Sequence, residues 1–318
     1  MKSPPLWRRP ARVPALARIA LAALAPLAPL APLGCDDGGG EGGGGDGSLV
    51  IRVSGEGAAK NGYPYEKNGA LIAFADGWSL RFSKYIASVG ELRLASSDGS
   101  VAVEAPETYV ADLHRGDPTV ATYAGLAARR WDRFRFHVVA ARPDAINLNG
   151  VDAADLARMV QGGYNYWVEG EATKGDRTVT FAWGLRNPTR NANCTSGVDG
   201  TDGFVIRNNA TTGAELTIHI DHLFWTSLGT ERAELRFDAI AAVAGDDDHV
   251  AFDELALQPL ADLRAPGGGP LVDEAGAAVA YDPGSVPLAA PTLQAFMLAS
   301  SASQAHVDGV GLCTVSSL

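Results

Sequence analysis

The sequence predicts a mainly β protein, an antiparallel β-sandwich-like domain carrying a few short helices. Three observations predict it. Apolar residues alternate with polar ones in several stretches, glycine, aspartate and serine separate those stretches as turns, and helical periodicity is confined to three brief segments. The chain is 318 residues long, 46% hydrophobic and 20% charged, a globular composition that excludes wholesale disorder.

The first 48 residues are expected to lie outside that domain. Lys2, Arg8, Arg9, Arg12 and Arg18 precede an uncharged run from Ile19 to Leu33, the plan of an export signal covering residues 1–34. Pro26, Pro29 and Pro32 interrupt the run, which is also too short for a comfortable transmembrane helix. Gly34-Cys35 at its end resembles a bacterial lipobox, in which Cys35 would carry lipid and become the mature N-terminus, although Leu33 stands one place nearer the cysteine than usual. Residues 35–48 are nearly all glycine and acid, a solvated tether. The expected location is therefore the bacterial cell envelope, periplasmic or at the outer-membrane surface, with the membrane as a partner through the lipid anchor. Loss of the leader's five basic residues would leave 21 against 37 acidic ones, moving the formal net charge from −11 to −16. So acidic a body argues against nucleic acid as a partner.

The domain, residues 49–318, opens on the alternation Leu49, Ile51, Val53. Further strands are expected around Leu80–Ile86, at Leu92 and Leu94, at Val101 and Val103, and at Phe134, Phe136 and Val138. Tyr164–Ala172 and Thr178–Gly184 form a hairpin about Lys174-Gly175-Asp176. A helix is predicted over 153–161, with Asp152 and Asp155 as an N-capping pattern; Phe237–Ala244 and Leu293–Met297 suggest two more. The Gly-, Pro- and Ala-rich stretch from Pro266 to Pro291 reads as a long surface excursion before the last helix.

In an oxidising compartment Cys194 and Cys313 are expected to pair. On the chain-entropy model the bridge would add roughly 4 to 5 kcal/mol and fasten the C-terminal tail to the body. A two-thiol metal site is the rival reading and lacks the close C-x-x-C spacing.

No G-x-S-x-G elbow, P-loop, H-E-x-x-H or C-x-x-C-H motif occurs, which removes the usual support for hydrolase, kinase, zinc-protease and cytochrome functions. The chemistry concentrates in Glu215–Trp225, E-L-T-I-H-I-D-H-L-F-W. Alternation would place His219 and Asp221 on one face at the end of a strand, with His222 where the chain leaves it. Two imidazoles and a carboxylate suit copper or zinc. A capping Asp221 with His222 bonded into a turn explains the same residues without a metal. His306, seven residues before Cys313, is the leading third ligand, ahead of His137 and His114; His249 reads as a loop residue. Val243–Glu254 resembles an EF-hand loop with Asp247 and Glu254 at ligand positions, but it lacks the early carboxylates that strong calcium binding requires. Trp167 and Trp183, with Tyr164 and Tyr166, could form a carbohydrate platform or an oxidisable cluster, against the simpler reading of core packing.

Asp76–Phe82 (D-G-W-S-L-R-F), Met159–Gly170 (M-V-Q-G-G-Y-N-Y-W-V-E-G), Thr180–Gly184 with Cys194, and Asp221–Phe224 (D-H-L-F) together resemble the MbnP-like, methanobactin-associated copper-binding family, especially its myxobacterial envelope lipoproteins. The resemblance spans about residue 48 to 318. It implies a secreted, mostly β envelope protein, in some branches holding copper and working with a haem-containing oxidase that modifies a tryptophan. The Trp-x-His pattern associated with the family's copper site occurs nowhere in this chain.

Two functions are thus expected as alternatives. One is a non-catalytic, lipid-anchored metal binder using His219, Asp221, His222 and His306. The other is a surface structural or adhesion module with no metal site.

Overall fold

A computed structural model describes residues 45–228 and 233–318. The export signal, Cys35 and most of the tether lie outside the described residues. Among the described residues no helix is long and apolar enough to cross a membrane.

The fold is mainly β, as predicted. Four strands form one sheet in the order Ala305–Val307, Thr211–Ile218, Asp46–Ser54, Thr119–Ala127. A larger, nine-stranded sheet is built around Ser79–Ala95, which pairs with Ala102–Asp112, Arg133–Val138 and Tyr166–Lys174. Leu49, Ile51, Val53, Leu216 and Ile218 from the first sheet meet Leu80, Phe82, Phe136, Val168 and Phe181 from the second in one buried cluster. This is the sandwich arrangement, and burial of the two inward faces supplies its main driving force.

Two features of the sheets depart from expectation. The first sheet is mixed, because Asp46–Ser54 runs parallel to Thr211–Ile218 while pairing antiparallel with Thr119–Ala127. The stretches around Leu80 and Leu94 belong to one 17-residue strand, with a register shift between Gly90 and Leu92 where Glu91 adopts a left-handed backbone (φ 49°). That shift inverts the alternation midway, so one strand reads as two. A Cβ on Gly90 would lie 2.5 Å from the Glu107 carbonyl oxygen, so the close strand approach there requires glycine.

The helix predicted over 153–161 spans Ala153–Gly162 and ends on left-handed Gly163. Asp152 stands at its N-cap but makes no side-chain capping bond; buried Asp155 pairs with Lys84 and Arg158 instead. The other two expected helices are Asp238–Ala241 and Leu293–Ser301, the latter capped by the Thr292 hydroxyl. A further short helix, Glu56–Asn61, escaped prediction because only Ala58 and Ala59 are buried in it. The hairpin Tyr166–Lys174 and Arg177–Leu185 forms as expected. Its tryptophans serve packing: Trp183 is buried on Phe181, and Trp167 lies beneath the helix Ala153–Gly162 with Arg158 over its ring.

Cys194 and Cys313 form the disulfide. Beside it Thr189–Ala192 pairs with Thr314–Ser317, so the tail is tied to the larger sheet by backbone bonds as well as by sulfur.

Candidate metal centre

The strand Thr211–Ile218 ends three residues earlier than the alternation suggests. His219 already stands at the N-cap of a 3-10 turn, Ile220–Phe224, and this turn, not strand alternation, brings His219, Asp221 and His222 together. The His219 side chain makes no capping bond at this turn. Among the described residues, these three form the one group of three or more His, Cys, Asp or Glu whose donor atoms lie within 4.8 Å of one another.

His306 arrives by strand register. Ala305–Val307 pairs antiparallel with the end of Thr211–Ile218, placing His306 opposite Thr217. Its ring centre lies 4.6 Å from that of His219 and 5.7 Å from that of His222, and the latter two are 5.2 Å apart. Three imidazoles on one tetrahedral ion, with metal–nitrogen bonds of roughly 2.1 Å, place their ring centres about 5 Å apart. The three rings are therefore spaced as ligands of one ion would be, although His306 falls outside the tighter group.

Each ring has one nitrogen committed to a protein oxygen, which sets the tautomer. His219 Nε2 donates to the Gly309 carbonyl at 2.5 Å. His306 Nε2 donates to the Ser303 carbonyl at 3.0 Å. The Ser303 hydroxyl donates to the Ser300 carbonyl, so it accepts from His222 Nδ1 at 2.9 Å. What remains is one uncommitted nitrogen per ring: Nδ1 of His219, Nε2 of His222, and Nδ1 of His306, the last buried with no hydrogen-bond partner among the described residues.

The supporting bonds converge from distant parts of the chain. Buried Gln304 accepts from the His219 backbone N–H and donates from its side chain to the His219 carbonyl and the Tyr85 hydroxyl. The Thr217 hydroxyl accepts from Gly309 N–H and donates to Glu215, fixing the carbonyl that orients His219.

Burial sets the charge of the site. Desolvation, reinforced by the neighbouring rings, pushes His222 down to about 2 and His306 down to about 4, so both are neutral and able to donate a lone pair. Burial also raises the Asp221 carboxyl, an effect opposed by His219. His222 lies tilted against Trp225 with ring centres 3.6 Å apart, and both line a cavity of about 430 Å3 together with Leu228, Val286, Ala299 and His306. Among the described residues no charged side chain lines it.

Sequence reasoning missed Glu56, whose Oε2 lies 3.6 Å from His219 Nδ1; Asp221 Oδ1 is 3.9 Å from the same nitrogen. Glu56 precedes His219 by 163 positions, and no local pattern marks it. The other expected candidates lie elsewhere. His114 Nδ1 bonds the Ala59 carbonyl, His137 pairs with Glu91 at 3.0 Å, and His249 bonds the Thr180 hydroxyl. Asp247 and Glu254 accept bonds from the nearby His249 and Ala251 N–H groups and belong to no ligand group of three, so the EF-hand-like loop closes on its own backbone.

The fold and this site together describe a mainly β chain bearing a His-Asp group that could hold a metal ion. Compared with protein-family profiles, curated proteins and solved structures, the chain matches none.

Proposed function

We infer that the protein binds one transition-metal ion, copper or zinc, through His219, His222 and His306, with Asp221 as a further ligand or as the group that orients a ring, and that it performs no turnover. The observation that carries this reading is the clustering of three imidazoles, each with one ring nitrogen bonded to a protein oxygen and the other left uncommitted. Hydrogen bonding of this kind at the second nitrogen is what metal-bound histidine normally requires. Imidazole donors suit both copper and zinc. The leader and Gly34-Cys35 support placing this binding at the cell envelope on a lipid anchor, with the acidic tether between membrane and domain.

The test is metal analysis of protein purified without a histidine tag. One equivalent of copper or zinc should be retained through dialysis and lost from the His219→Ala, His222→Ala double variant. No uptake by the wild type, or equal uptake by the variant, rejects the site.

A further inference from the structure

Lys67 and Glu56 stand beside the histidines in a way that metal binding by the imidazoles alone does not explain. Lys67 Nζ reaches both carboxylate oxygens of Glu56, at 2.7 and 2.6 Å. Glu56 in turn faces His219 Nδ1 at 3.6 Å, beyond hydrogen-bonding distance, and Asp221 faces the same nitrogen at 3.9 Å. With Nε2 bonded to the Gly309 carbonyl, His219 turns Nδ1 towards these carboxylate oxygens. Nitrogen and oxygen donors at that spacing suit a shared cation. Two donors on one tetrahedral ion at roughly 2.1 Å stand about 3.4 Å apart.

The backbone holds Glu56 there against its own preference. The residue is left-handed (φ 52°), a conformation that costs a non-glycine residue on the order of 1 kcal/mol, and its N–H is anchored on the Ser54 hydroxyl. Ser54 donates onward to Glu215, the acceptor that also holds Thr217, so one carboxylate steadies both the Glu56 backbone and the mount of His219. Charge completes the picture. Lys67 pairs directly with Glu56 alone and acts on Asp221 only through space, and a divalent ion would balance both carboxylates without it. Lys67 ends the strand Tyr65–Lys67, which pairs only with Ala70–Ile72 in a two-stranded hairpin turning through left-handed Asn68 and Gly69. Its side chain is about two-fifths exposed, with room to swing outward.

We propose that Glu56 is a further protein ligand of the ion and that Lys67 is the site's built-in counter-ion, an ammonium that holds the carboxylate until a divalent cation displaces it. The proposal rests on the metal-binding reading above and adds a competitor within the protein that sets the affinity.

The test compares the wild type with Lys67→Met and Glu56→Gln by zinc titration against a chromophoric chelator. It also measures the acetylation rate of Lys67 by mass spectrometry with and without zinc. Lys67→Met should bind zinc about tenfold more tightly, Glu56→Gln at least tenfold more weakly, and zinc should speed acetylation of Lys67 in the wild type. Melting curves report folding, and Lys67→Met, at a partly exposed hairpin position, keeps the test usable should Glu56→Gln not fold. If the wild type binds zinc while both variants stay within twofold of it and Lys67 acetylates at one rate, the proposal fails and the histidine site stands. If the wild type binds no zinc, the histidine site fails and the proposal falls with it.

Discussion

Ser303 holds two of the three imidazoles: its hydroxyl accepts from His222 Nδ1 and its carbonyl accepts from His306 Nε2. Ser303→Ala removes only the hydroxyl. His222 is buried, so its Nδ1–H would be left without a partner, at a cost of about 1 to 3 kcal/mol. In a domain of this size that amounts to a fall in melting temperature of a few to about ten degrees. The other escape is a change of tautomer, which carries the proton to Nε2 and occupies the lone pair that a metal would use. Metal affinity should then fall about 10- to 100-fold, the usual cost of losing a group that orients a ligand. Differential scanning calorimetry in chelator measures the first effect and zinc titration the second. Ser301→Ala is the control, because that hydroxyl bonds the Leu298 carbonyl and Asn187 and touches no histidine. If Ser303→Ala melted with the wild type and bound zinc equally well, the tautomer assignment of His222 would be wrong, and with it the best support for the site.

Two further outcomes follow from the same structure. The metal-free protein should lose stability as the pH falls from 6.5 towards 4.5, because the unfolded chain takes up protons on His222 and His306 that the folded one, with these groups pushed down to about 2 and about 4, refuses. The sign is that of histidines held neutral by burial: their stabilisation is complete above the ordinary histidine range and is lost below it, at up to about 1.4 kcal/mol per pH unit for each ring. Asp221, raised in the fold, works the other way and reduces the slope. Urea midpoints in chelator that stay level over that interval would contradict the burial argument. Separately, replacing Cys194 and Cys313 by alanine should cost roughly 4 kcal/mol, since the bridge closes a loop across a sequence separation of 119. A loss below about 1 kcal/mol by chemical denaturation would mean that the backbone pairing of Thr314–Ser317 suffices to hold the tail.

What was legible in the sequence was what neighbouring residues determine. Period-two alternation announced Leu49–Val53 and the hairpin about Gly175, and the closeness of His219, Asp221 and His222 followed from adjacency, although the reason offered for it, strand alternation, was not the operative one. A five-residue 3-10 turn has no periodic signal that could have distinguished it. His306 was reached through Cys313, and the disulfide forms; the feature that seats the imidazole, however, is the pairing of His306 with Thr217, a register the sequence does not disclose. Glu56 and Lys67 were out of reach altogether. Their approach to His219 depends on Asp46–Ser54 lying parallel to Thr211–Ile218, and a parallel pairing across some 160 positions leaves no local trace.

That parallel pairing also determines when the site can exist. One ligand candidate stands at position 56, two imidazoles follow at 219 and 222, and the last comes at 306, so the ring of donors closes only when Asp46–Ser54 and Ala305–Val307 have found their common neighbour, Thr211–Ile218. Long-range closures of this kind are slow and late in folding. A nascent or half-folded polypeptide would offer an ion only scattered groups, and a tightly held cation would be a stamp of completed assembly, acquired at the last step.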